Sequence, residues 1–180
     1  MKKYFPTILA LVLCVCISTN FARQSKVITI DKKTEKAAVT APKEIISAQQ
    51  TFAIIKPDAV EAKNTGKIID MILQDGFEIK KMEKIQFTAD QAKTFYAEHK
   101  GKPFFDGLVE FMTSGPVIIM VFEKENAIKD WRKLIGATNP AKADKGTIRQ
   151  LFGTKIPKNA AHGSDAPESA KREIDLLFFR

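Results

Sequence analysis

Thr51-Phe52-Ala53-Ile54-Ile55-Lys56-Pro57-Asp58 is the stretch from which the architecture of this chain is best read. Four apolar residues in a row, two of them β-branched, predict a buried strand. The polar Lys56 and the imide of Pro57 then end it. Downstream, Ile68, Ile69, Ile72 and Leu73 fall at helical spacing and predict a helix over residues 66–74, stopped by Asp75-Gly76. Residues 77–87 carry apolar Phe77, Ile79, Ile85 and Phe87 and predict a second strand. Thr88-Ala89-Asp90-Gln91 has capping-box form and opens a helix expected to reach His99. Residues 103–112 predict a short helical pair. Gly115-Pro116 precedes the most apolar strand, residues 117–122, and residues 125–135 predict a helix ending at Gly136. Asp165-Ala166-Pro167-Glu168 caps a final helix expected to run to Leu177.

Strands therefore alternate with helices, which predicts a sheet covered by helices. Residues 137–161 are rich in Gly, Pro, Asn and Lys and show no period, so they predict a long loop. Long loops in compact domains usually carry function.

Outside that body the sequence changes character. Met1-Lys2-Lys3 followed by apolar residues 5–17 has the layout of a secretory signal, and the run is short for a membrane span. Residues 1–22 are expected to be a signal-like or anchoring segment, with residues 4–18 as the stretch for a membrane tether. Residues 23–49 read as a poorly structured linker, and residues 50–180 as the folded domain. Export or membrane tethering is the expectation, with a cytoplasmic location as the alternative. Both cysteines, Cys14 and Cys16, lie in the apolar run, so the domain holds neither a disulfide nor a cysteine metal site.

The formal charge of +8 invites a nucleic-acid reading, but +5 of it belongs to residues 1–49. The body, at +3, suits a site for small polyanions, and no nucleic-acid motif accompanies it. No specific nucleic-acid partner is expected.

His162-Gly163-Ser164-Asp165 is the most informative tetrapeptide. It places an imidazole between the long loop and the cap of the last helix, beside N–H groups that favour an anion. Neutral imidazole is a nucleophile that can carry a covalent intermediate; a loop histidine taken alone is more often solvated or structural. Arg132, Thr138, Arg149, Lys158 and Asn159 are candidates to converge on the same loop, the arginines because a planar guanidinium pairs well with phosphate. Each also reads as ordinary surface. Lys56 sits at a strand end. Of Phe104 and Phe105, one is expected in the core and the other is free to stack on a base. The sequence holds no G-x-x-x-x-G-K-S/T and no G-x-G-x-x-G, so neither common glycine loop for phosphates is present.

Six segments share an order and spacing: Thr51 to Asp58; Phe95-Tyr96-Ala97-Glu98-His99-Lys100-Gly101-Lys102-Pro103-Phe104-Phe105; Ser114-Gly115-Pro116; Leu134-Ile135-Gly136-Ala137-Thr138-Asn139-Pro140; Gly146-Thr147-Ile148-Arg149; and Asn159-Ala160-Ala161-His162-Gly163-Ser164-Asp165. Together they resemble nucleoside diphosphate kinase from Thr51 nearly to the end. The resemblance implies an α+β ferredoxin-like sandwich, with an antiparallel four-stranded sheet covered by helices. It implies ping-pong transfer from a nucleoside triphosphate to a nucleoside diphosphate, with His162 becoming phosphohistidine. Glu173 would hold the other ring nitrogen. Arg132, Thr138 and Arg149 would grip the phosphates, and Lys56 and Asn159 would bond the sugar, with Lys56 and Tyr96 close to the transferred group. Phe104 would stack one face of the base while Ile156 crowds the other, and His99 would lie near a phosphate. Mg2+ would ride on the nucleotide, reached by Asp165 at most through water, with no protein side chain as a direct metal ligand. A homo-oligomer is implied as well. Lys102, Leu151 and Pro157-Lys158 depart from the usual family residues. The alternative is a nucleotide-binding regulatory protein that keeps the fold with weak or no turnover.

Overall fold

The computed structural model describes residues 48–179. The signal-like segment and all but the last two residues of the expected linker lie outside the described residues. No helix among the described residues is long and apolar enough to cross a membrane.

The first strand, β1 (Gln49–Ile55), opens inside the stretch read as linker. Among the described strands, it and β3 (Val117–Lys124) are the two with a neighbour on each side. These two pair antiparallel from Gln49↔Lys124 to Ile55↔Ile118. The edges are β2 (Glu78–Ile85), paired with β3, and β4 (Ala161–Gly163), paired with β1 through Ile54↔His162. All pairs are antiparallel and the order is β2-β3-β1-β4.

Successive side chains of a strand point to opposite faces, and both faces of β1 and β3 are covered. Phe52, Ile54, Val117, Ile119 and Val121 pack with Phe95, Leu108, Met112, Ile174 and Leu177. Ala53, Ile55, Ile118, Met120 and Phe122 pack with Ile68, Ile72, Trp131 and Ile135 on the other side. Burial on two faces is why these strands read as unbroken apolar runs. The edge strand β2 is exposed along most of its length and reads as polar.

The helices follow from local signals, with several corrections. Pro57 does not merely end β1. It stands at the first position of a short helix, α1 (Pro57–Glu61), where the missing N–H costs nothing. Next comes α2 (Thr65–Gln74), as its apolar spacing predicts. The Thr88 capping box is formed on both sides, with Gln91 N–H donating to Thr88 Oγ1 at 3.2 Å and Thr88 N–H donating to Gln91 Oε1 at 3.0 Å. The helix it opens, α3 (Ala89–Phe95), stops short of His99, which is reached by a separate 3-10 turn, Ala97–His99. The expected helical pair at 103–112 is one helix, α4 (Phe105–Thr113). Then α5 (Ala127–Ile135) ends at Gly136, whose φ of 81° needs glycine.

The long loop is overturned in part. It holds a 3-10 turn, Pro140–Lys142, and a short helix, α6 (Ile148–Phe152), and its last residue begins β4. Five residues are too few to show a helical period, and Ala-His-Gly has no β signature; only pairing with β1 makes it a strand. The last helix, α7 (Pro167–Phe178), has Ala166 as its N-cap, with no capping side chain. Asp165 instead accepts a hydrogen bond from the Ser169 hydroxyl at 2.7 Å.

Candidate active site

One cleft of about 640 Å³ gathers Lys56, Tyr96, Phe104, Arg132, Thr138, Arg149, Asn159, His162 and Glu173. These nine are among the residues singled out from the sequence for chemistry or nucleotide contact. Ile156, His99 and Asp165 line it too. Lys158 does not: it is exposed, and its carbonyl closes a turn onto Thr154 and Lys155.

His162 is the central residue of β4, so the sheet itself aims the imidazole. Its ring packs edge-on against Phe95 at 5.1 Å and Tyr96 at 6.2 Å between centroids. Nε2 lies 3.1 Å from Glu173 Oε2, and the same oxygen accepts from the Ser164 hydroxyl at 2.7 Å. Glu173 is buried on the inner face of α7. A buried carboxylate at that nitrogen favours the tautomer with hydrogen on Nε2 and leaves the Nδ1 lone pair available. From the opposite face of the sheet, Trp131 Nε1–H donates to the His162 carbonyl at 3.1 Å. Gly163 is required by that indole: a Cβ there would fall 2.4 Å from Trp131 Cδ1 and Nε1.

The cations form a connected group. Lys56 is buried at the end of β1, and its Nζ donates to Asn159 Oδ1 at 2.7 Å. Asn159 Nδ2 donates in turn to the Thr138 carbonyl at 2.8 Å. Arg149, on α6, is braced by Nη1 on the Gly136 carbonyl and Nη2 on the Ala161 carbonyl, at 2.9 and 3.0 Å. Burial, then the charge of Arg149, push the Lys56 ammonium down to about 7. Burial, then the charge of Arg132, push the Arg149 guanidinium down to about 10. Lys56 feels the charge of Arg149, and Arg149 that of Arg132, so the site gathers positive charge that an anion would relieve.

Several polar atoms at this cleft are buried without a hydrogen-bond partner among the described residues: Tyr96 Oη, His99 Nδ1 and Arg149 Nε. Burial raises the Tyr96 hydroxyl far above its ordinary value, so it is a neutral donor. At the mouth, Phe104 and Ile156 are exposed, 51% and 55%, whereas Phe105 is in the core. The division between the two phenylalanines is thus as expected, and Phe104 is the free ring.

Residues 49–180 match the family model described as nucleoside diphosphate kinase. The chain belongs to the nucleoside diphosphate kinase family. Nucleoside diphosphate kinase of Geobacter sp. (strain M21) is 57% identical over 130 residues, covering 72% of this chain and 95% of that one. That of Persephonella marina is 49% identical over 135 residues, covering 75% and 96%. Among solved structures, the Aquifex aeolicus nucleoside diphosphate kinase superposes with a TM-score of 0.71 at 47% identity, covering 73% of this chain and 96% of that one. The Encephalitozoon cuniculi enzyme gives 0.70 at 38% identity, covering 72% and 88%. The family fold, a ferredoxin-like sandwich on an antiparallel four-stranded sheet, is the one observed.

Within this nucleoside diphosphate kinase domain, sequence reasoning assigned no part to Ser164, Glu98 or Trp131. Ser164 supports Glu173, Glu98 lines the cleft, and Trp131 buttresses the His162 strand. Ser164 was within sight, inside the His-Gly-Ser-Asp tetrapeptide. The single tryptophan gave no hint beyond its size.

Proposed function

We propose that this chain transfers the γ-phosphoryl group of a nucleoside triphosphate to a nucleoside diphosphate through a phosphohistidine on His162. The observation that carries this is one imidazole, anchored by Glu173 through Nε2, sharing a cleft with Lys56, Arg132 and Arg149. In the first half-reaction the Nδ1 lone pair attacks the γ-phosphorus. The bond from that phosphorus to the β–γ bridging oxygen breaks, and the nucleoside diphosphate departs with the electron pair. In the second, a terminal oxygen of an incoming diphosphate attacks the phosphohistidine phosphorus and the P–N bond breaks, returning the free imidazole. Glu173 stabilises the Nε2–H of the ring throughout.

The rest of the site positions and stabilises. Phosphoryl transfer asks little covalent chemistry of a protein and much charge stabilisation. Arg132, Arg149 and the Thr138 hydroxyl hold the phosphates. Lys56 and Asn159, already joined, take the sugar hydroxyls, and Lys56 and the neutral Tyr96 hydroxyl reach toward the group in flight. Phe104 stacks on the base against Ile156, a contact available to any base.

The carboxylate Asp165 lines the cleft beside the phosphate-holding groups, and its Ser169 hydrogen bond keeps it below the usual carboxylate range. That suits magnesium, which binds through few carboxylates plus substrate phosphates. Asp165 would hold it through water, and the ion supplies charge neutralisation on the phosphates. We further propose, from the basic start and apolar run of residues 1–17, that the leader exports or tethers the domain, and from the family that the domain assembles as a homo-oligomer. Mass spectrometry of the mature N-terminus and light scattering test these two points.

The central test is to incubate the protein with magnesium and γ-labelled ATP and to seek acid-labile, base-stable label that passes to GDP. His162→Ala should take up none. An unlabelled wild type would leave a nucleotide-binding regulatory protein, and full labelling of His162→Ala would remove the mechanism.

A further inference from the structure

Two residues before His162 the backbone adopts a conformation that alanine enters at a cost. Ala160 has φ of 63°. Across it, Ala161 N–H donates to the Asn159 carbonyl at 2.8 Å. A hydrogen bond spanning two residues around a positive φ marks the rare, strained form of the γ-turn. Glycine accepts such a φ freely, whereas a Cβ is crowded there. The turn is buried, with Ala160 and Ala161 fully covered and Asn159 nearly so.

Both polar atoms of Ala160 are held by one distant turn. Lys56 N–H donates to the Ala160 carbonyl at 2.9 Å. Ala160 N–H donates to Asp58 Oδ2 at 3.0 Å, across 102 positions of sequence. The other Asp58 oxygen, Oδ1, is buried with no hydrogen-bond partner among the described residues. A half-satisfied buried carboxylate is unfavourable by itself, so its bond to Ala160 is the feature that calls for a purpose. That bond sits between two functional side chains. Asn159, on one side, accepts from Lys56 Nζ; His162, on the other, lies in β4, which starts at Ala161.

We propose that Asp58 is a positioning residue for the transfer reaction: by gripping the Ala160 amide it holds the left-handed turn that sets Asn159 and the His162 strand against Lys56. This rests on the phosphohistidine reading above. Without the carboxylate, Ala160 relaxes to a negative φ, and the rotation carries Asn159 away from Lys56 and shifts the start of β4.

The experiment is single-turnover labelling of the full chain by γ-labelled ATP with magnesium, well below the unfolding temperature. Wild type is compared with Asp58→Ala, Asp58→Asn and the double variant Asp58→Ala/Ala160→Gly. Loss of a hydrogen bond to a buried charged acceptor should slow Asp58→Ala roughly ten- to a hundredfold. Asp58→Asn keeps an acceptor oxygen and should stay within about threefold of wild type. The double variant should recover most of the lost rate, because glycine holds the turn unaided. Wild-type labelling by Asp58→Ala, an Asp58→Asn as slow as Asp58→Ala, or a double variant no faster than the single one would each overturn the role. If Asp58→Ala does not fold, restoration of folding by Ala160→Gly supports the role and its failure overturns it. A wild type that takes no label strikes the phosphohistidine reading, and the positioning role with it; a labelled wild type beside an unimpaired Asp58→Ala strikes the positioning role alone.

Discussion

Binding of a nucleoside triphosphate should draw a proton into the site, and Lys56 should be where it goes. Its ammonium is held down to about 7 by burial and by the neighbouring Arg149. From that value, about one tenth of Lys56 is protonated at pH 8 in the empty site. Phosphates placed among Lys56, Arg132 and Arg149 offset the repulsion and favour the charged form, returning Lys56 toward its ordinary 10.5. Uptake should therefore approach about 0.9 proton per ligand at pH 8, and only about 0.1 at pH 6, where the amine is already charged. The assay is calorimetric titration with a non-hydrolysable ATP analogue and magnesium, in buffers of contrasting ionisation enthalpy. The slope of observed heat against buffer enthalpy counts protons. Lys56→Met isolates the lysine, since other groups exchange protons in both proteins. A difference between wild type and Lys56→Met below about 0.2 proton at pH 8 would refute the reasoning. The same shift acts on the ligand-free fold. Between about 7 and 10.5 the unfolded chain carries a Lys56 proton that the folded chain lacks. This group therefore makes the fold more stable as pH rises through that window, withholds that stability below it, and stops doing either in Lys56→Met.

Glu173→Gln should keep the packing around His162 while removing the charge that stabilises Nε2–H, slowing labelling by about tenfold or more in rapid-quench measurements. Phe104→Ala should raise KM for nucleotides by about one to two orders of magnitude through lost base stacking. Its melting temperature should hardly move, because the ring is 51% exposed. Gly163→Ala should do the reverse. Its Cβ has nowhere to go beside the Trp131 indole, so thermal unfolding should show a loss of about 1–3 kcal/mol from overpacking. An unchanged melting curve for Gly163→Ala would mean that the indole can withdraw from β4.

What could be read beforehand was whatever is carried by local pattern or by a long motif. The apolar runs at Phe52–Ile55 and 117–122 mark buried strands because both faces of the central pair are covered. The Thr88 capping box is a matter of four residues and forms as read. The candidate site residues were named through the family resemblance, with Lys56, Thr138, Arg149 and Asn159 inside its segments and Arg132 just ahead of one; no single one of them signals a function by itself. Less legible were pieces whose structure is imposed from elsewhere. Ala161–Gly163 is a strand only because β1 pairs with it, and α6 is too short to display a period.

The chain's order of residues therefore determined the alternation of strands and helices, the buried faces, and the set of groups able to meet a phosphate. Those properties depend on near neighbours and on side-chain chemistry. The pairing of Glu173 with the imidazole, 11 positions back, was implied by the resemblance; tertiary structure decided that it is made through Nε2, at 3.1 Å. It also decided that Lys56 would be buried against Asn159, 103 positions away, and that Asp58 would grip a strained turn beside the nucleophile. Such contacts depend on chain closure over long separations, and their energies arise from burial that no local stretch contains.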